Sequence, residues 1–207
     1  QLNICKPVVE CKPVVECKPV VGYLEIIMGC MASGKSTEGL RRYRRYLQHK
    51  DKSEIAFINH ADDVRYGEGC ISTHDKTQVP CIGVSKLEEF YLEKWKSKYE
   101  KWKIIIIEEA QFFPDLLDFV KQAVDIDHKK VIIIGLDGDS NREVFGDLTK
   151  LIPLADNYQK LKAICNYCKD GTEAIFTKRL VETEGQKLVG TLDMYKPVCR
   201  YHYFKIM

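Results

Sequence analysis

Short apolar runs, each followed by polar or glycine residues, mark where strands are expected along this chain. They lie at 24–28, 54–59, 104–107 and 131–134. The run at 104–107 consists of four isoleucines, and a strand that is apolar at every position is typical of a sheet covered on both faces. The four runs therefore predict buried strands rather than strands with one face toward solvent.

Segments with helical spacing of apolar residues alternate with these strands. They are 35–48, 85–101 and 114–124. In the second segment Leu87, Phe90, Tyr91 and Trp95 share one side, and the third has Pro114 at its start, where proline is tolerated. Alternation of helices with continuous apolar strands predicts a parallel α/β sheet, with helices on both faces, as a domain over 22–155.

The residues outside this core differ in character on its two sides. At 1–21 a Cys-Lys-Pro-Val-Val-Glu unit is repeated, and a proline in every unit opposes both a helix and a central strand. We expect this tail to be extended or disordered. Zinc binding or intermolecular disulfides through Cys5, Cys11 and Cys17 is the alternative. At 156–207 short strand-like pieces surround two Cys/His pairs, which predicts a separate small domain.

Composition limits the class of protein. Of the 207 residues 45% are hydrophobic and 30% charged, as in ordinary globular proteins. The net charge is only +2, from 32 basic and 30 acidic residues, which argues against nucleic acid as the main partner. Apolar runs of membrane-spanning length and a signal-peptide core are both missing from the sequence. We therefore expect a cytoplasmic protein without a membrane partner, whose nine cysteines are mostly reduced.

The segment after the first predicted strand fits the phosphate-binding pattern G-x-x-x-x-G-K-[ST]. Its residues are Gly29, Cys30, Met31, Ala32, Ser33, Gly34, Lys35, Ser36 and Thr37. A buried strand precedes it and a helix follows, which is the context that this loop requires. Its glycines let successive N–H groups point at one anion, Lys35 supplies positive charge, and the Ser36 hydroxyl suits Mg²⁺. We expect the loop to bind a nucleoside triphosphate.

Two carboxylates end the isoleucine strand. Glu108 stands at the strand tip, where P-loop proteins place an acidic residue that holds Mg²⁺ directly or through water. Glu109 is one residue further, so alternation predicts that its side chain leaves the opposite face and addresses a second reactant. A carboxylate beside the γ-phosphate can accept a proton from an attacking hydroxyl or water. This pattern is compatible with an ATPase, a motor or a kinase.

Two short pairs near the carboxyl end have the spacing of metal ligands. Cys165 and Cys168 form the first pair, Cys199 and His202 the second, and 30 residues separate the pairs. Each pair can present two donors, so together they complete the four ligands of a tetrahedral zinc ion. Four protein ligands leave no open position, which predicts structural rather than catalytic zinc.

Six blocks in register resemble the type II thymidine kinases. The block Glu109-Ala110-Gln111-Phe112-Phe113 is similar to the D-E-A/G-Q-F-F signature of that family. The other blocks are 29–37, 135–138, 145–146, 177–180 and the two Cys/His pairs. The resemblance covers 22–205 and implies transfer of the γ-phosphate of ATP to the 5′-hydroxyl of thymidine, giving thymidine monophosphate and ADP.

The resemblance also implies roles for individual residues at the ATP site. Glu109 matches the general base, and Ser36 and Glu108 match the positions that hold Mg²⁺. Asp63 and Arg65 match a D-x-R element near the phosphates. The implied ATP and cofactor residues are the loop 29–37 with Asp63, Arg65, Glu108 and Gln111.

The implied thymidine pocket is mainly apolar and is closed by a lasso loop that runs from Thr177 to Val198 on the zinc domain. Backbone groups of the lasso would bond the thymine edge, and Tyr195, on what we predict to be a polar loop, would line the pocket. The implied substrate residues are Met31, Phe112, Leu136, Ser140, Phe145, Thr177, Gln186, Lys187, Leu188, Val189, Gly190 and Tyr195.

The sequence departs from the family pattern in three respects, at Glu108, at Ser140 and in the repeat tail, for which the family offers no counterpart. Glu108 replaces an aspartate, and Cys30 stands where proline is common. Ser140 replaces an aromatic residue that touches the base, which removes stacking of about 1 kcal/mol. Three alternatives stay open. One is a deoxynucleoside kinase with altered base selectivity, motivated by Ser140. The others are a zinc-ribbon, nucleic-acid-dependent ATPase, supported by the arginine-rich segment 41–46, and a binding-only relative without catalysis. The resemblance further implies a homotetramer and feedback inhibition by thymidine triphosphate.

Overall fold

The strands and helices are taken from a computed structural model that describes residues 21–63, 70–72, 78–180 and 194–205. The strands are β1 (Tyr23–Gly29), β2 (Ile55–His60), β3 (Cys70–Ser72), β4 (Gln78–Pro80), β5 (Ile82–Val84), β6 (Ile104–Ile107), β7 (Lys130–Gly135), β8 (Asn157–Leu161), β9 (Ala163–Ile164), β10 (Glu173–Ala174), β11 (Phe176–Arg179) and β12 (Tyr195–Val198). The α-helices are α1 (Lys35–Leu47), α2 (Glu93–Lys101), α3 (Leu116–Lys121) and α4 (Arg200–Lys205).

Six of these strands form one sheet, in the order β5-β2-β6-β7-β1-β8. Every neighbouring pair in it is parallel, which confirms the predicted fold class. Strand β8 extends this sheet although it lies beyond residue 155, where we predicted the first domain to end. The division into domains stays a prediction.

Alternate residues of the buried strands enter two separate cores. Ile105 and Ile107 belong to the core that contains residues of α2 and α3. Ile104 and Ile106 belong to the core on the opposite face, where Leu40 and other residues of α1 pack. Period-two alternation of apolar side chains is what a strand between two helical layers requires. The prediction of helices on both faces is confirmed.

The predicted helix over 85–101 is wrong as one continuous element. A 3₁₀ segment at Leu87–Tyr91 is followed by α2, and the two are separated at Leu92, whose φ of −73° and ψ of 152° are extended rather than helical. This break lets Phe90 bury its ring edge-on against Trp95 and Trp102, at centroid distances of 5.6 and 5.2 Å.

The predicted helix over 114–124 is confirmed in position but differs at both ends. Helix α3 begins at Leu116, after Asp115, whose φ of −107° and ψ of 16° are not helical. A π-helical turn over Gln122–Ile126 continues it, and the Asp127 N–H donates to the Gln122 carbonyl. The wider turn continues the helix past residue 124.

The carboxyl-terminal part is a small module of antiparallel pairs. Strand β9 pairs with β10 and β11 pairs with β12, and α4 follows. Tyr195 begins β12 and is 6% exposed, so the prediction that it lies on a polar loop is wrong. Backbone pairing of β11 with β12 holds it in place instead. The repeat tail at 1–20 and the lasso residues 181–193 lie outside the described residues.

None of the helices in the described ranges combines the length and the apolar character needed to cross a bilayer.

Candidate active site

The phosphate-binding loop lies at the carboxyl edge of the sheet, between β1 and α1. Gly34 directly precedes the first residue of α1. Its φ of 84° is a left-handed backbone conformation, which glycine adopts easily. Ala32 is also left-handed, with a φ of 59°. The turn directs the amino-terminal end of the 13-residue helix α1 toward the loop, as an anion-binding site requires.

Lys35 is buried at the start of α1 and reaches back across this loop. Its Nζ donates to the Cys30 carbonyl at 2.7 Å. Burial lowers the pKa of the Lys35 ammonium, and the carboxylates of Glu109, Glu108 and Asp137 act against that shift by favouring the charged form. Lys35 Nζ therefore lies where polyphosphate oxygens could replace the Cys30 carbonyl as its partner.

Ser36 and Glu108 meet as the sequence predicts. Ser36 Oγ donates to Glu108 Oε1 at 2.5 Å, although 72 residues separate them. Glu108 directly follows β6 and is buried. A hydroxyl and a carboxylate oxygen at this separation are the hard oxygen ligands that Mg²⁺ prefers.

The direction of the Glu109 side chain is set by a left-handed backbone turn, and not by the alternation of side chains along a strand. Strand β6 ends at Ile107, and Glu109 adopts a left-handed φ of 52°. Gln111 Nε2 donates to Glu109 Oε2 at 2.5 Å, and Gln111 Oε1 accepts the Leu136 N–H at 2.9 Å. Gln111, predicted among the ATP-site residues, thus contacts the candidate base and the end of β7.

Two glycines leave room for the Gln111 residue. A Cβ at Gly135 would lie 2.5 Å from Gln111 Oε1, and one at Gly146 would lie 2.3 Å from the Gln111 carbonyl oxygen. Gly146 also has a φ of 61°, so it combines a tight contact with a left-handed conformation.

Asp63 is held beside the end of β2. Asn59 Nδ2 donates to Asp63 Oδ2 at 3.0 Å, and both residues are buried. Next to them the His60 ring packs on Phe113 at 4.9 Å and on Phe112 at 5.7 Å. Arg65, the other residue of the predicted D-x-R element, lies outside the described residues.

The predicted substrate residues that the structure describes make contacts with one another and with Gln111. The Phe112 and Phe145 rings meet edge-on at a centroid distance of 5.4 Å. Leu136 adjoins them through its hydrogen bond to Gln111. Thr177 is buried, and its Oγ1 accepts the Met31 N–H at 3.0 Å. The lasso residues Gln186, Lys187, Leu188, Val189 and Gly190 lie outside the described residues.

Ser140 lies in a turn that docks on the carboxyl-terminal module. The Ser140 carbonyl accepts the Tyr203 hydroxyl at 2.8 Å. The Arg142 guanidinium lies over the rings of Tyr203 and Phe204, at 4.7 and 4.6 Å from their centroids. Sequence reasoning missed Arg142 and Tyr203, because cation–π contacts between distant segments leave no local pattern.

Asp137 is a further acidic residue at this edge that sequence reasoning left without a role. It follows β7 as Glu108 follows β6, and it forms an ion pair with Lys160. Its position after a buried strand is the signal that could have identified it, since the ends of adjacent parallel strands share one edge of the sheet.

The predicted zinc ligands converge. The donor atoms of Cys165, Cys168, Cys199 and His202 all lie within 4.8 Å of one another. Sulfurs bound to one tetrahedral zinc ion at about 2.3 Å stand about 3.7–3.8 Å apart, and Cys168 Sγ and Cys199 Sγ are 3.7 Å apart. Burial opposes the thiolate of Cys165, but N–H bonds from Cys199 and neighbouring backbone lower its pKa to about 6. The cluster fits zinc in donor type, number and spacing.

Part of the charge of the arginine-rich helix segment is paired within the protein. Arg42 Nη2 lies 2.7 Å from Glu25 Oε1, and Arg41 Nε lies 2.6 Å from Glu38 Oε2. Tyr43 is buried against Phe57. Two of the four arginines are therefore paired with carboxylates, which weakens the support that this segment gives to a nucleic-acid-dependent ATPase.

The parallel sheet and its helices define an α/β protein that carries an added Cys/His module, and the glycine-bounded loop at the carboxyl edge of the sheet fits the P-loop class. Comparison with known proteins narrows this class. The family model described as thymidine kinase matches residues 22–203. The chain belongs to the thymidine kinase family.

Relatives from plants, a virus and an animal are similar over most of this chain. A thymidine kinase of Oryza sativa subsp. japonica is 41% identical over 182 residues, which cover 88% of this chain and 66% of that protein. The thymidine kinase of rabbit fibroma virus (strain Kasza) is 38% identical, with 88% and 97% covered. The cytosolic thymidine kinase of Gallus gallus is 36% identical, with 89% and 78% covered. The match thus spans just under two thirds of the rice protein and nearly all of the viral one.

Proposed function

We propose that this chain transfers the γ-phosphate of ATP to the 5′-hydroxyl of thymidine, giving thymidine monophosphate and ADP. Family membership carries the proposal, and the grouping of Lys35, Glu108 and Glu109 at one edge of the sheet supports it. The base-selectivity alternative raised by Ser140 is not favoured, since the relatives named thymidine kinase come from plants, a virus and vertebrates.

In the proposed reaction Glu109 is the general base. Its carboxylate accepts the proton of the 5′-hydroxyl while the nucleoside oxygen forms a bond to the γ-phosphorus and the bond to the β,γ-bridging oxygen breaks. ADP leaves with the electron pair of that bond. Lys35 and the loop N–H groups neutralise charge on the outer phosphates, which is how most of the barrier to phosphoryl transfer is lowered.

Two metal ions are part of the proposal. Ser36 and Glu108 would hold Mg²⁺, which supplies further charge neutralisation at the phosphates when bound. Cys165, Cys168, Cys199 and His202 would hold structural zinc, which stabilises the fold of the module.

The nucleoside site follows from the same resemblance. Phe112, Phe145 and Leu136 would pack on thymidine from the sheet edge, and the lasso at 177–198 would close over it. A kinase domain at 22–155, a zinc domain at 156–207, a homotetramer, feedback inhibition by thymidine triphosphate and a cytosolic location belong to the proposal as well.

An ATP-dependent phosphorylation assay tests the reaction, with thymidine, deoxyuridine and deoxycytidine compared side by side. Glu109→Gln should lower kcat for thymidine by about 10²- to 10⁴-fold while ATP and thymidine still bind. Glu93→Gln, an exposed change at the start of α2, is the matched control and should leave kcat unchanged. A fully active Glu109→Gln variant would remove Glu109 from the role of base, and turnover only with DNA or RNA would refute the kinase proposal.

A further inference from the structure

The first residue of the phosphate-binding loop packs on the strand that leads into the Cys/His module. Gly29 pairs in register with Leu161, the last residue of β8. A Cβ at Gly29 would lie 2.3 Å from the Leu161 carbonyl oxygen, so the two backbones are in close contact. Two residues after Leu161 the chain enters β9, the first strand of the module.

The next two loop residues bond to the module itself. The Cys30 thiol donates to the Ala174 carbonyl of β10, with Sγ 3.4 Å from the oxygen. The Met31 N–H donates to Thr177 Oγ1 of β11 at 3.0 Å. Three consecutive loop residues thus contact three different strands, and no contact joins residues closer than 132 positions in sequence.

Two of these strands pair with the strands that lead into the candidate zinc ligands, β10 with β9 and β11 with β12. Strand β9 ends immediately before Cys165, and β12, which pairs with β11, ends immediately before Cys199. One small buried cluster joins the loop to the ligands, and its members are Cys30, Ala163, Cys165, Ala174 and Cys199. A change in the module that moves Ala174 or Thr177 is therefore transmitted directly to the loop, because its packed contacts have little freedom to adjust.

The loop residue at the centre of these contacts also holds the phosphate-binding lysine. The Cys30 carbonyl accepts Lys35 Nζ at 2.7 Å, while the thiol of the same residue contacts Ala174. A shift of the Cys30 backbone would thus displace the acceptor that orients the Lys35 ammonium.

We propose that the Cys/His module sets the conformation of the phosphate-binding loop, so that zinc at the module and ATP at the loop stabilise each other's binding. Thr177 is then a positioning residue for the loop, in addition to any contact with the nucleoside. The inference rests on the proposed function only in taking ATP as the ligand of the loop. Linkage requires the effect to be reciprocal: the factor by which zinc tightens ATP binding is the factor by which ATP tightens zinc binding.

The first test replaces the hydrogen-bond acceptor of the Met31 N–H. Thr177→Val keeps the side-chain shape at this buried position but removes the hydroxyl, and Thr177→Ser is the control that retains it. In the zinc-loaded chain without nucleoside, Thr177→Val should raise the Kd of the Mg²⁺ complex of the β,γ-imido ATP analogue by about three- to tenfold, and Thr177→Ser should not. Equal affinity in all three chains would overturn the positioning role.

The second test uses the unmodified chain, so it does not depend on how a variant folds. Zinc is titrated out with a chromogenic chelator, at fixed excess Mg²⁺, with and without a saturating concentration of the same ATP analogue. The zinc affinity should rise at least threefold when the analogue is bound. An unchanged zinc affinity would overturn the coupling alone, whereas failure of the zinc-loaded chain to bind the analogue would contradict the proposed function itself.

Discussion

The side-chain amide of Gln111 holds the carboxylate of Glu109, with Nε2 2.5 Å from Oε2. The same side chain accepts the Leu136 N–H, so it links the turn after β6 to the end of β7. Because Glu109 is in a left-handed conformation outside the strand, this bond restricts the direction of a side chain that the sheet does not orient.

Replacing Gln111 with methionine should therefore lower catalysis more than binding. Methionine has a similar length but can neither donate to Glu109 nor accept from Leu136. We expect kcat to fall by about ten- to hundredfold, with KM for ATP and thymidine within about twofold of the unmodified chain. Steady-state kinetics with a thermal melt checks this. A parallel rise in both KM values, or unfolding at the assay temperature, would assign Gln111 a structural role instead.

The glycine at 146 should be needed for stability as well as for geometry. Gly146→Ala places a methyl group against the Gln111 carbonyl in a left-handed turn. Gly171 is also left-handed, with a φ of 87°, but the methyl group of Gly171→Ala would meet no atom within 4 Å. We expect Gly171→Ala to lower the free energy of unfolding by about 1–2 kcal/mol, and Gly146→Ala by about 1–3 kcal/mol more. Urea unfolding of both variants isolates the steric part, and equal losses would show that Gln111 moves aside freely.

The hydrogen bond from Tyr203 to Ser140 should matter for the nucleoside and not for ATP. Tyr203→Phe removes that bond but keeps the ring that stacks under Arg142. If the turn around Ser140 faces the nucleoside, as the family resemblance implies, KM for thymidine should rise about two- to tenfold with KM for ATP unchanged. Tyr201→Phe is the control, since the exposed Tyr201 hydroxyl contacts only Lys205 among the described hydrogen bonds. An unchanged thymidine KM would place this turn outside the nucleoside site.

ATP binding should weaken at a lower pH than it would if Lys35 had the pKa of an ordinary lysine. Burial lowers the pKa of Lys35, so its ammonium loses its proton, and with it the attraction for phosphate, as the pH rises through that lowered value. The Kd of the ATP analogue, followed from about pH 7.5 to about pH 10, should rise before the usual lysine range is reached. In Lys35→Arg the guanidinium stays charged throughout, so its Kd should be flat over the same range.

Lys129 should contribute to stability through the end of α2. Its Nζ donates to the carbonyl of Tyr99, in the last turn of α2, and to that of Trp102, which directly follows the helix, both at 2.9 Å. Lys129→Met should lower the free energy of unfolding by about 1–3 kcal/mol, since two carbonyls lose a charged partner. Lys96→Met, at an exposed position of the same helix, should change it by less than about 0.5 kcal/mol.

The parts of the fold that the sequence could predict are those with a local signature. Continuous apolar runs located β1, β2, β6 and β7, and the glycine pattern located the phosphate-binding loop. Strand β8 was not predicted as part of the sheet because four of its five residues are exposed and polar or amphipathic, as suits an edge strand. The break in the helix at Leu92 was not predicted because tertiary packing of aromatic rings overrides the helical periodicity of the sequence there.

The candidate active site likewise has parts that the sequence could predict and parts that it could not. The meeting of Ser36 with Glu108 could be predicted because the phosphate-binding loop and the end of a buried parallel strand lie at the same edge of the sheet. The left-handed turn at Glu109 has no residue that favours it, since glutamate is not enriched in that conformation. The bond between Met31 and Thr177 spans 146 positions, and no short pattern encodes such a contact.

The close approach of Gly29 to β8 affects how loss-of-function variants of this chain should be chosen. Substituting a loop glycine is a common way to abolish nucleotide binding, but any side chain at 29 would collide with the Leu161 carbonyl and separate two paired strands. An inactive Gly29 variant would report a damaged sheet edge as readily as a lost ligand. Gly34, where an added Cβ meets no atom within 4 Å, is the more informative position, because there only the backbone turn toward the phosphates is disturbed.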